Sequence, residues 1–296
     1  MNWNETTIAI VGGDRREQEI ARCAAATGAQ VRAYGFPWPQ GGIDGVTHTA
    51  NAAQALAGAD IALFPIPGIT ADGALFAPQC PDKIIPTRKM LAAMRPSAHI
   101  ILGWADANLK LHTEALGIRV HEYEWDKDLM LLRGPAIVEG MLKVLIENTD
   151  ITIHKSRVCL VGQGSIGSLV TQTLRGLGAD VHVAARNPVQ RAAAYAAGAE
   201  PHELGDLHKV FPGTDIVIAS VPARIIGADL LELLPKHALL VDLAAPPGGI
   251  DREAAQALGL KFIWARGMGA RAPITVGRSQ WSGVSRRIED ILKERV

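Results

Sequence analysis

Short apolar segments alternate with longer amphipathic segments along the whole chain. In the first half, the segments TIAIVGG, QVRAYGF, IALFPIP, HIILGW and RVHEYE are bounded by turn residues and predict strands. Helical periodicity separates them, as in EQEIARCAAATG and KMLAAMR. Strands that alternate with helices are typical of a mostly parallel sheet with right-handed crossovers. The pattern therefore predicts an α/β domain.

The second half repeats this alternation more clearly. Its predicted strands are SRVCLVG, DVHVAAR, TDIVIASVP, ALLVDLA and KFIWARG. Its predicted helices span Ser165–Leu177, Pro188–Ala197, Ala228–Leu234 and Asp251–Leu258. We therefore predict two Rossmann-like domains, each a doubly wound parallel sheet.

The segment between Asp126 and Lys155 separates the two halves. Within it, PAIVEGMLKVLIENT predicts a long helix that links the domains and forms one wall of a cleft. We assign residues 1–133 to a substrate and catalytic domain, and residues 134–275 to a cofactor-binding domain. Residues 276–296 predict a final helix, capped by Thr275, that packs back on the first domain.

A glycine-rich loop follows the first strand of the second half. In CLVGQGSIGSLV, three glycines have the GxGxxG spacing: Gly162, Gly164 and Gly167. The first permits a tight turn, the second leaves room for a pyrophosphate, and the third lets the helix pack on the strand. The N–H groups at Ser165 and Ile166 would then face the phosphates. The loop predicts a dinucleotide site.

The corresponding loop of the first half, AIVGGDRREQE, lacks this spacing. Asp14 follows Gly12 and Gly13, and its negative charge disfavours an anion at the helix start. One interpretation is a helix cap. The other is a substrate-facing loop, in which Arg15 or Arg16 binds a carboxylate.

The end of the second cofactor strand indicates which dinucleotide binds. An NAD site usually has Asp or Glu there, whereas residues 184–187 read Ala-Ala-Arg-Asn. Arg186 could pair with a 2′-phosphate, which predicts NADP, and we assign Arg186 and Asn187 to the cofactor site. The alternative is a solvated arginine before a helix that Asn187 caps and Pro188 begins.

Two further strand ends belong to the predicted cofactor site. The strand TDIVIASVP ends at Ser220, Val221 and Pro222, and the strand ALLVDLA ends near Asp242 and Ala244. Ligands of open α/β sheets bind at the carboxyl ends of strands.

Composition excludes several classes of function. Lysine plus arginine and aspartate plus glutamate each number 30, so the chain lacks the basic excess of nucleic-acid-binding proteins. Its apolar runs are too short and too interrupted to cross a membrane. The three cysteines form no CxxC pair, Cys159 fits a buried strand, and the start resembles no signal peptide. We expect a cytoplasmic protein.

The histidines do not predict catalysis or a metal site. A 2-hydroxy-acid dehydrogenase needs a histidine acid/base with an orienting carboxylate. Five histidines of the second half lie away from the predicted strand ends, and we interpret them as structural or surface residues: His154, His182, His202, His208 and His237.

The motifs together resemble the dipicolinate synthase A-subunit family along nearly the full length of the chain. The resemblance rests on GGDRREQEI, PIPGITADG, VEG at 138–140 and NTDITIHKS in the first part. It continues through VGQGSIGS, AARN, DLAAPPGG and GMGARAPITVG. The strings GGD, VEG and PPGG are the most specific of these.

The resemblance implies an NADP-dependent oxidoreductase of dipicolinic acid biosynthesis in sporulation. Such an enzyme oxidises a dihydrodipicolinate-type ring to pyridine-2,6-dicarboxylate, and its partner is a flavoprotein-like second subunit. Within VEG, Glu139 has apolar neighbours, so we expect a partly dry carboxyl with a raised pKa that acts as the general base. The alternative is that Glu139 braces its helix. The other predicted catalytic residues are Asp14 and Arg16, and the predicted substrate ligands are Arg15, Thr70, Arg266 and Arg271.

The chain also departs from the family pattern. Where the family usually has APKTAG, residues 272–277 read APITVG; the family's RPGG is PPGG at 246–249, and its SIPTxEG has lost the threonine at 134–140. These changes leave a different amino or imino acid open as the substrate. Another open alternative is a non-catalytic NADP-binding member of a complex. We expect a homo-oligomer in each case.

Overall fold

The computed structural model describes residues 2–294, which form two compact units. Unit 1 contains the chain up to Arg133 and the residues from Ala272 onward, and unit 2 spans Gly134–Arg271. We predicted divisions after residues 133 and 275. The second division lies earlier because the last helix already begins at Pro273, so Thr275 lies inside that helix and is not its cap.

Unit 1 is built on a six-stranded parallel sheet. Its strands are β1 (Thr7–Val11), β2 (Gln30–Tyr34), β3 (Val46–His48), β4 (Ile61–Leu63), β5 (His99–Leu102) and β6 (Arg119–Glu122). Their order across the sheet is β3-β2-β1-β4-β5-β6. Its helices are α1 (Arg15–Ala25), α2 (Ala52–Leu56), α3 (Arg88–Leu91) and α4 (Ala107–Glu114), with a 3-10 turn at Trp3–Glu5.

A long helix, α5 (Lys127–Asn148), carries the chain from unit 1 into unit 2. The predicted linking helix began at Pro135, where proline is favoured in a first turn. In the structure Pro135 lies inside α5, because the helix starts eight residues earlier at Lys127.

Unit 2 repeats the topology of unit 1. Its strands are β7 (Arg157–Val161), β8 (Asp180–Ala184), β9 (Glu200–His202), β10 (Ile216–Ala219), β11 (Leu239–Asp242) and β12 (Lys261–Trp264). Their order is β12-β11-β10-β7-β8-β9, and every pairing is parallel. Its helices are α6 (Ser165–Gly176), α7 (Pro188–Ala196), α8 (Leu207–Val210), α9 (Ala228–Leu231) and α10 (Arg252–Ala257), with 3-10 turns at Leu204–Asp206, Phe211–Gly213 and Met268–Arg271. The predicted fold class, two doubly wound parallel sheets, is confirmed.

Helices and connecting segments cover both faces of each sheet, so the central strands are buried throughout. On one face of unit 2, apolar side chains of β7, β8 and β10 pack against α5 and α6. On the other face, Cys159 and Val217 pack with Phe211. Burial raises the pKa of the Cys159 thiol to about 12, as fits a core residue. This burial on both faces gives parallel strands their near-continuous apolar sequence.

The last helix, α11 (Pro273–Glu294), packs against α1 within unit 1. Gly277 makes the close approach possible, because a Cβ there would lie 2.7 Å from the Arg16 carbonyl oxygen and 2.7 Å from the Glu19 Cβ. Arg278 forms an ion pair with Glu19 at 2.6 Å. None of the helices within residues 2–294 is long and apolar enough to cross a membrane.

Candidate cofactor site

The loop after β7 requires glycine at its first position. Gly162 has a φ of +104°, and a Cβ there would lie 2.6 Å from the Ser220 Oγ and 2.5 Å from the Val221 Cγ2. Its N–H donates to the Ala184 carbonyl oxygen at 2.9 Å, which ties the loop to the end of β8. The structure thus brings the glycine loop against two residues of the predicted site that follow β10.

The other two glycines differ in their surroundings. A Cβ at Gly167 would lie 2.2 Å from the Gly162 carbonyl oxygen, so this glycine lets α6 start close to the strand. A Cβ at Gly164 would have no atom within 4 Å. The helix begins at Ser165 without a side-chain cap, which leaves its first N–H groups, including that of Ile166, to a ligand. This open cradle fits a pyrophosphate.

Gln163 was not among the predicted residues, although it lies between two of the glycines. It is buried, and its Oε1 accepts a hydrogen bond from the Thr171 Oγ1 at 2.8 Å. Thr171 lies in α6, so this bond fastens the loop to the helix. The GxGxxG spacing leaves the residue between the first two glycines undefined, so the sequence did not predict this role of Gln163.

The turn after β8 exposes an arginine. Asn187 caps α7 by accepting the Val189 N–H at 2.8 Å, and Pro188 is the first helical residue, as in the alternative interpretation of this turn. The cap engages the Asn187 side chain, which argues against its predicted contact with the cofactor. Arg191 Nη1 donates to the carbonyl oxygens of Ala185 and Arg186, at 2.9 Å each. The backbone of the turn is therefore fixed while the Arg186 side chain is exposed.

Asp242 ends β11 but does not face outward as a ligand. It is buried, and its carboxylate accepts the N–H groups of Ala244, Gly249 and Ile250 at 2.9, 2.7 and 3.1 Å. Burial raises the pKa of Asp242. The three hydrogen bonds lower it, but the effect of burial is larger. Asp242 therefore shapes the loop of residues 244–250 from within. We predicted that Asp242 contacts the cofactor directly; in the structure its carboxylate binds the backbone of its own loop instead.

Glu139 is exposed, contrary to the expectation of a partly dry carboxyl. Its side chain keeps 52 % of its surface exposed and forms an ion pair with Arg271, Nη2 to Oε2 at 2.5 Å. The apolar neighbours Val138 and Met141 are buried in the core on another side of α5, so they do not surround it. That expectation was wrong because adjacent helical residues point in different directions.

Arg266, the other predicted substrate ligand of unit 2, is also exposed. The guanidinium of Arg266 lies over the Trp264 ring, 5.7 Å from its centroid. Gly140 lets the 3-10 turn at Met268–Arg271 approach α5, since a Cβ there would lie 2.8 Å from the Met268 Cβ. The predicted substrate ligands Arg266 and Arg271 thus flank a turn that packs on the helix of Glu139.

In unit 1, two charged side chains that follow β1 pair with each other. Asp14 caps α1 by accepting the Arg16 N–H at 2.9 Å, and it also pairs with the Arg16 guanidinium at 2.8 and 2.9 Å. Both side chains are buried, and Arg16 lies over the Phe76 ring. The cap interpretation is therefore the correct one, and this pairing argues against the predicted catalytic roles of Asp14 and Arg16. Arg15 is exposed.

Glu17 is a buried acid that we did not predict. Its two carboxylate oxygens accept the N–H groups of Asp14 at 2.7 Å and of Ile66 at 3.0 Å, which joins the ends of β1 and β4. Burial raises its pKa to about 7, although Arg16 opposes this. Gly13 makes room for it, since a Cβ there would lie 2.3 Å from the Glu17 Cδ.

Thr70 lies in another loop of unit 1, beside a cavity of about 300 Å³. Its hydroxyl lies 2.5 Å from the Asp72 carboxylate and 2.9 Å from the Ala74 carbonyl oxygen. A hydrogen bond from Lys83 lowers the pKa of Asp72. The Thr70 hydroxyl is thus engaged within its own loop, which argues against the predicted substrate contact.

The histidines of unit 2 fall into two groups. Three of them lie beside a backbone oxygen or a surface acid: His154 at Leu177, His208 at Gly205 and His237 at Asp215. The other two, His182 and His202, stack on each other next to Glu200. The sequence did not predict this cluster, because its members lie on two strands whose register only the fold sets.

Comparison with known proteins gives two family matches. Residues 7–124 match the N-terminal domain of the dipicolinate synthase A-subunit. Residues 143–257 match the NAD binding domain of D-isomer specific 2-hydroxyacid dehydrogenases. The second match covers the glycine loop, the turn after β8 and the end of β11.

Individual relatives cover almost the whole chain. The dipicolinate synthase A-subunit of Bacillus subtilis (strain 168) is 28% identical over 97% of this chain and 97% of its own length. The crystal structure of the dipicolinate synthase A-subunit from Bacillus halodurans superposes with a TM-score of 0.88, at 26% identity, covering 97% of this chain and 98% of that one. The corresponding structure from Bacillus subtilis gives a TM-score of 0.86, at 26% identity, covering 98% and 97%.

The predicted resemblance to the dipicolinate synthase A-subunit family is therefore confirmed. The second unit has a dehydrogenase-type NAD(P)-binding domain, which supports the predicted oxidoreductase class. Neither match distinguishes NADP from NAD.

Proposed function

We propose that this chain, which is similar along nearly its whole length to the A-subunit of dipicolinate synthase, oxidises a dihydrodipicolinate-type cyclic imino dicarboxylate to pyridine-2,6-dicarboxylate with NADP⁺. The observation that carries the proposal is the open glycine cradle at Gly164 followed by an exposed Arg186 where an NAD site would have an acid. The similarity to the dipicolinate synthase proteins supplies the substrate class.

Cofactor binding would use the residues already described. The free N–H groups at Ser165 and Ile166 would hold the pyrophosphate, and the Arg186 guanidinium would hold a 2′-phosphate. When bound, NADP⁺ supplies the hydride acceptor. Ser220, Val221 and Pro222 follow the strand next to the glycine loop and would line the nicotinamide end.

The proton would pass to a side chain of unit 2. The ring loses a hydride and a proton as it becomes aromatic, so the protein must supply a base and cations for two carboxylates. The Glu139–Arg271 ion pair offers both. A substrate carboxylate that pairs with Arg271 would release Glu139, whose freed oxygen could then accept the ring proton. Arg266 is a further exposed cation of unit 2 for the dicarboxylate.

The test is an assay of the full chain with a freshly generated dihydrodipicolinate-type substrate and NADP⁺. NADPH formation and the aromatic product are both measured, with and without the flavoprotein-like second subunit. We expect both products in equal amounts, in at least one of the two conditions. Cofactor binding without any product in either condition would contradict the proposal.

Glu139→Gln tests the base separately. We expect normal NADP(H) binding and a loss of turnover of roughly 100-fold, typical for a general base. Glu147→Gln is the matched control, because Glu147 is an exposed acid of the same helix that pairs with Lys143. If Glu139→Gln keeps turnover within a few-fold, the proton acceptor lies elsewhere.

A second candidate is the dehydrogenation of a different amino or imino acid. The missing lysine of the 272–277 segment and the missing arginine at 246 favour it, since both would bind carboxylates. The same assay, run with a panel of cyclic and open-chain imino acids, distinguishes the two candidate functions. If the second candidate is correct, a member of the panel reduces NADP⁺ and the dihydrodipicolinate-type substrate does not.

A further inference from the structure

Three side chains that offer metal ligands converge at the edge of the unit 2 sheet. His182 lies in β8, and Glu200 and His202 lie in the edge strand β9. The parallel register pairs His182 with Glu200 and Ala184 with His202. Because side chains of a strand alternate between faces, Glu200 and His202 lie on the same face as His182.

The distances suit a small cation. The His182 Nδ1 lies 2.9 Å from the His202 Nε2 and 3.5 Å from a Glu200 carboxylate oxygen, and the second Glu200 oxygen lies 3.9 Å from the His202 Nε2. Two ligands bound tetrahedrally to zinc at about 2.0 Å lie roughly 3.3 Å apart. The two imidazoles therefore need to separate by only a few tenths of an ångström.

From this geometry we propose that His182, Glu200 and His202 form a binding site for a divalent transition-metal ion of the zinc type. Two imidazoles and one carboxylate are a usual ligand set for such an ion, whereas magnesium and calcium prefer oxygen ligands. The Glu200 side chain keeps 63% of its surface exposed while His182 keeps 2%, so the ion would enter from the Glu200 side and keep a solvent ligand.

Asp180 can hold the metal-binding tautomer of His182 once Arg157 no longer bonds to the ring. Its Oδ2 lies 3.2 Å from the His182 Nε2, on the side of the ring away from the cluster. If Nε2–H donates to Asp180, the lone pair of Nδ1 faces the ion, as in the carboxylate–histidine–metal arrangements of known sites. Arg157 Nε also lies 3.0 Å from the same nitrogen and requires it to accept. Since Arg157 Nε lies 4.0 Å from the Asp180 carboxylate, it can pair with that group once the ion binds.

Metal at this place would fasten the edge strand to its neighbour. The N–H of Ala185 donates to the His202 carbonyl oxygen at 3.1 Å, directly before Arg186. The site thus lies beside the strand end that carries the predicted 2′-phosphate ligand. It is independent of the proposed redox reaction, since neither histidine belongs to the proposed cofactor or substrate residues.

The experiment uses the untagged full chain, stripped with a chelator and dialysed. Zn²⁺ binding is measured by calorimetry, and Co²⁺ is added as a spectroscopic probe of four-coordinate geometry. We expect one equivalent of either ion, visible cobalt bands, and a melting temperature several degrees higher with Zn²⁺. His202→Ala and Glu200→Gln should each weaken binding at least tenfold. Both positions are more exposed than His182, so these variants should fold.

His208→Ala and His237→Ala are matched controls, because both histidines are exposed residues of the same unit. They should bind Zn²⁺ as the parent chain does. The proposal is overturned if the parent chain takes up no stoichiometric Zn²⁺, or if the His202→Ala and Glu200→Gln variants bind it with unchanged affinity.

Discussion

Arg186 and Asn187 share one turn but act separately. Asn187 holds the start of α7, and Arg191 holds the backbone oxygens, whereas the exposed Arg186 guanidinium forms no hydrogen bond or ion pair with residues 2–294. It can therefore act on a ligand, and its removal should leave the fold intact.

We expect Arg186→Ala to weaken NADP(H) binding ten- to a hundred-fold while NAD(H) binding changes little. A charge-assisted contact is worth about 1.5–3 kcal/mol, which corresponds to that range. Titration of both cofactors by fluorescence measures it. Arg252→Ala, at an exposed arginine of α10, is the control and should change neither affinity. Equal binding of NADP(H) and NAD(H) by the parent chain would contradict the assignment.

Glu17 should make the stability of the chain depend on pH. Its pKa is about 7 when folded and near 4.5 in its unperturbed state. The protonated form therefore favours folding, so this contribution is complete below about pH 4.5 and is lost as the pH rises through about 7. We expect the free energy of unfolding to fall by on the order of 3 kcal/mol across this window from Glu17 alone.

Glu17→Gln should flatten this slope, which urea unfolding at several pH values measures. The amide also loses one acceptor for the two backbone N–H groups, so its overall stability should be lower and only the slope is diagnostic. Glu114→Gln, at an exposed acid of α4, should keep the parent slope. A Glu17→Gln protein with the parent slope would assign the dependence to other groups.

The local rules of the sequence predicted some of these residues and not others. The GxGxxG spacing, the Asn187 cap and Pro188 are each decided within a few residues, so a sequence can show them. The role of Glu17 depends on the N–H of Ile66, 49 residues away. Exposure of Glu139 was missed for a related reason, since which side of α5 is covered depends on the packing of the whole unit.

Helices α1 and α6 start in the same topological position with opposite electrostatics. In unit 1 the Asp14 carboxylate occupies the first turn, whereas in unit 2 the turn starts at Gly164 with no side chain. A helix start attracts anions only if its N–H groups are unoccupied. The start of α6 is open and the start of α1 is capped, and for this reason the cofactor is assigned to unit 2.

We expect Gly164→Val to abolish most NADP(H) binding in a protein that still folds. The backbone at Gly164 is extended, with φ −81° and ψ −162°, and the position of a Cβ is unobstructed. The valine would instead occupy the space that the pyrophosphate needs. Cofactor titration and the melting temperature together measure this.

Gly162→Val is the informative contrast, because its φ of +104° and its contacts with Ser220 and Val221 predict a loss of stability as well. A folded Gly164→Val chain that binds NADP(H) like the parent would show that the cofactor lies elsewhere.

At the scale of whole elements, the sequence predicted the long apolar strands. It missed β3 and β9, since each has only three residues and contains polar positions.

At the scale of the whole molecule, unit 1 is completed by the last helix of the chain. Helix α11 contributes Gly277 and Gly283, which let α1 and the start of α5 approach it. Amphipathic periodicity predicted the helix itself. The close contacts depend on residues more than a hundred positions away and could not be predicted.

We expect Gly277→Ala to lower stability by about 1–3 kcal/mol, the usual cost of overpacking. Alanine favours a helix over glycine by about 1 kcal/mol, so the prediction runs against intrinsic propensity. The matched control is Gly176→Ala in α6, where the added Cβ meets no atom within 4 Å. Thermal unfolding should show a lower melting temperature for the first variant and an equal or higher one for the second.

The return of α11 to unit 1 also affects the order in which the protein can mature on the ribosome. All six strands of unit 1 are synthesised first, yet the side of α1 that receives α11 stays uncovered until α11 itself has left the exit tunnel. Unit 2 has its entire sequence available earlier. A nascent chain should therefore complete its second half before its first, and chaperones that recognise exposed apolar surface would meet the incomplete first half throughout that interval.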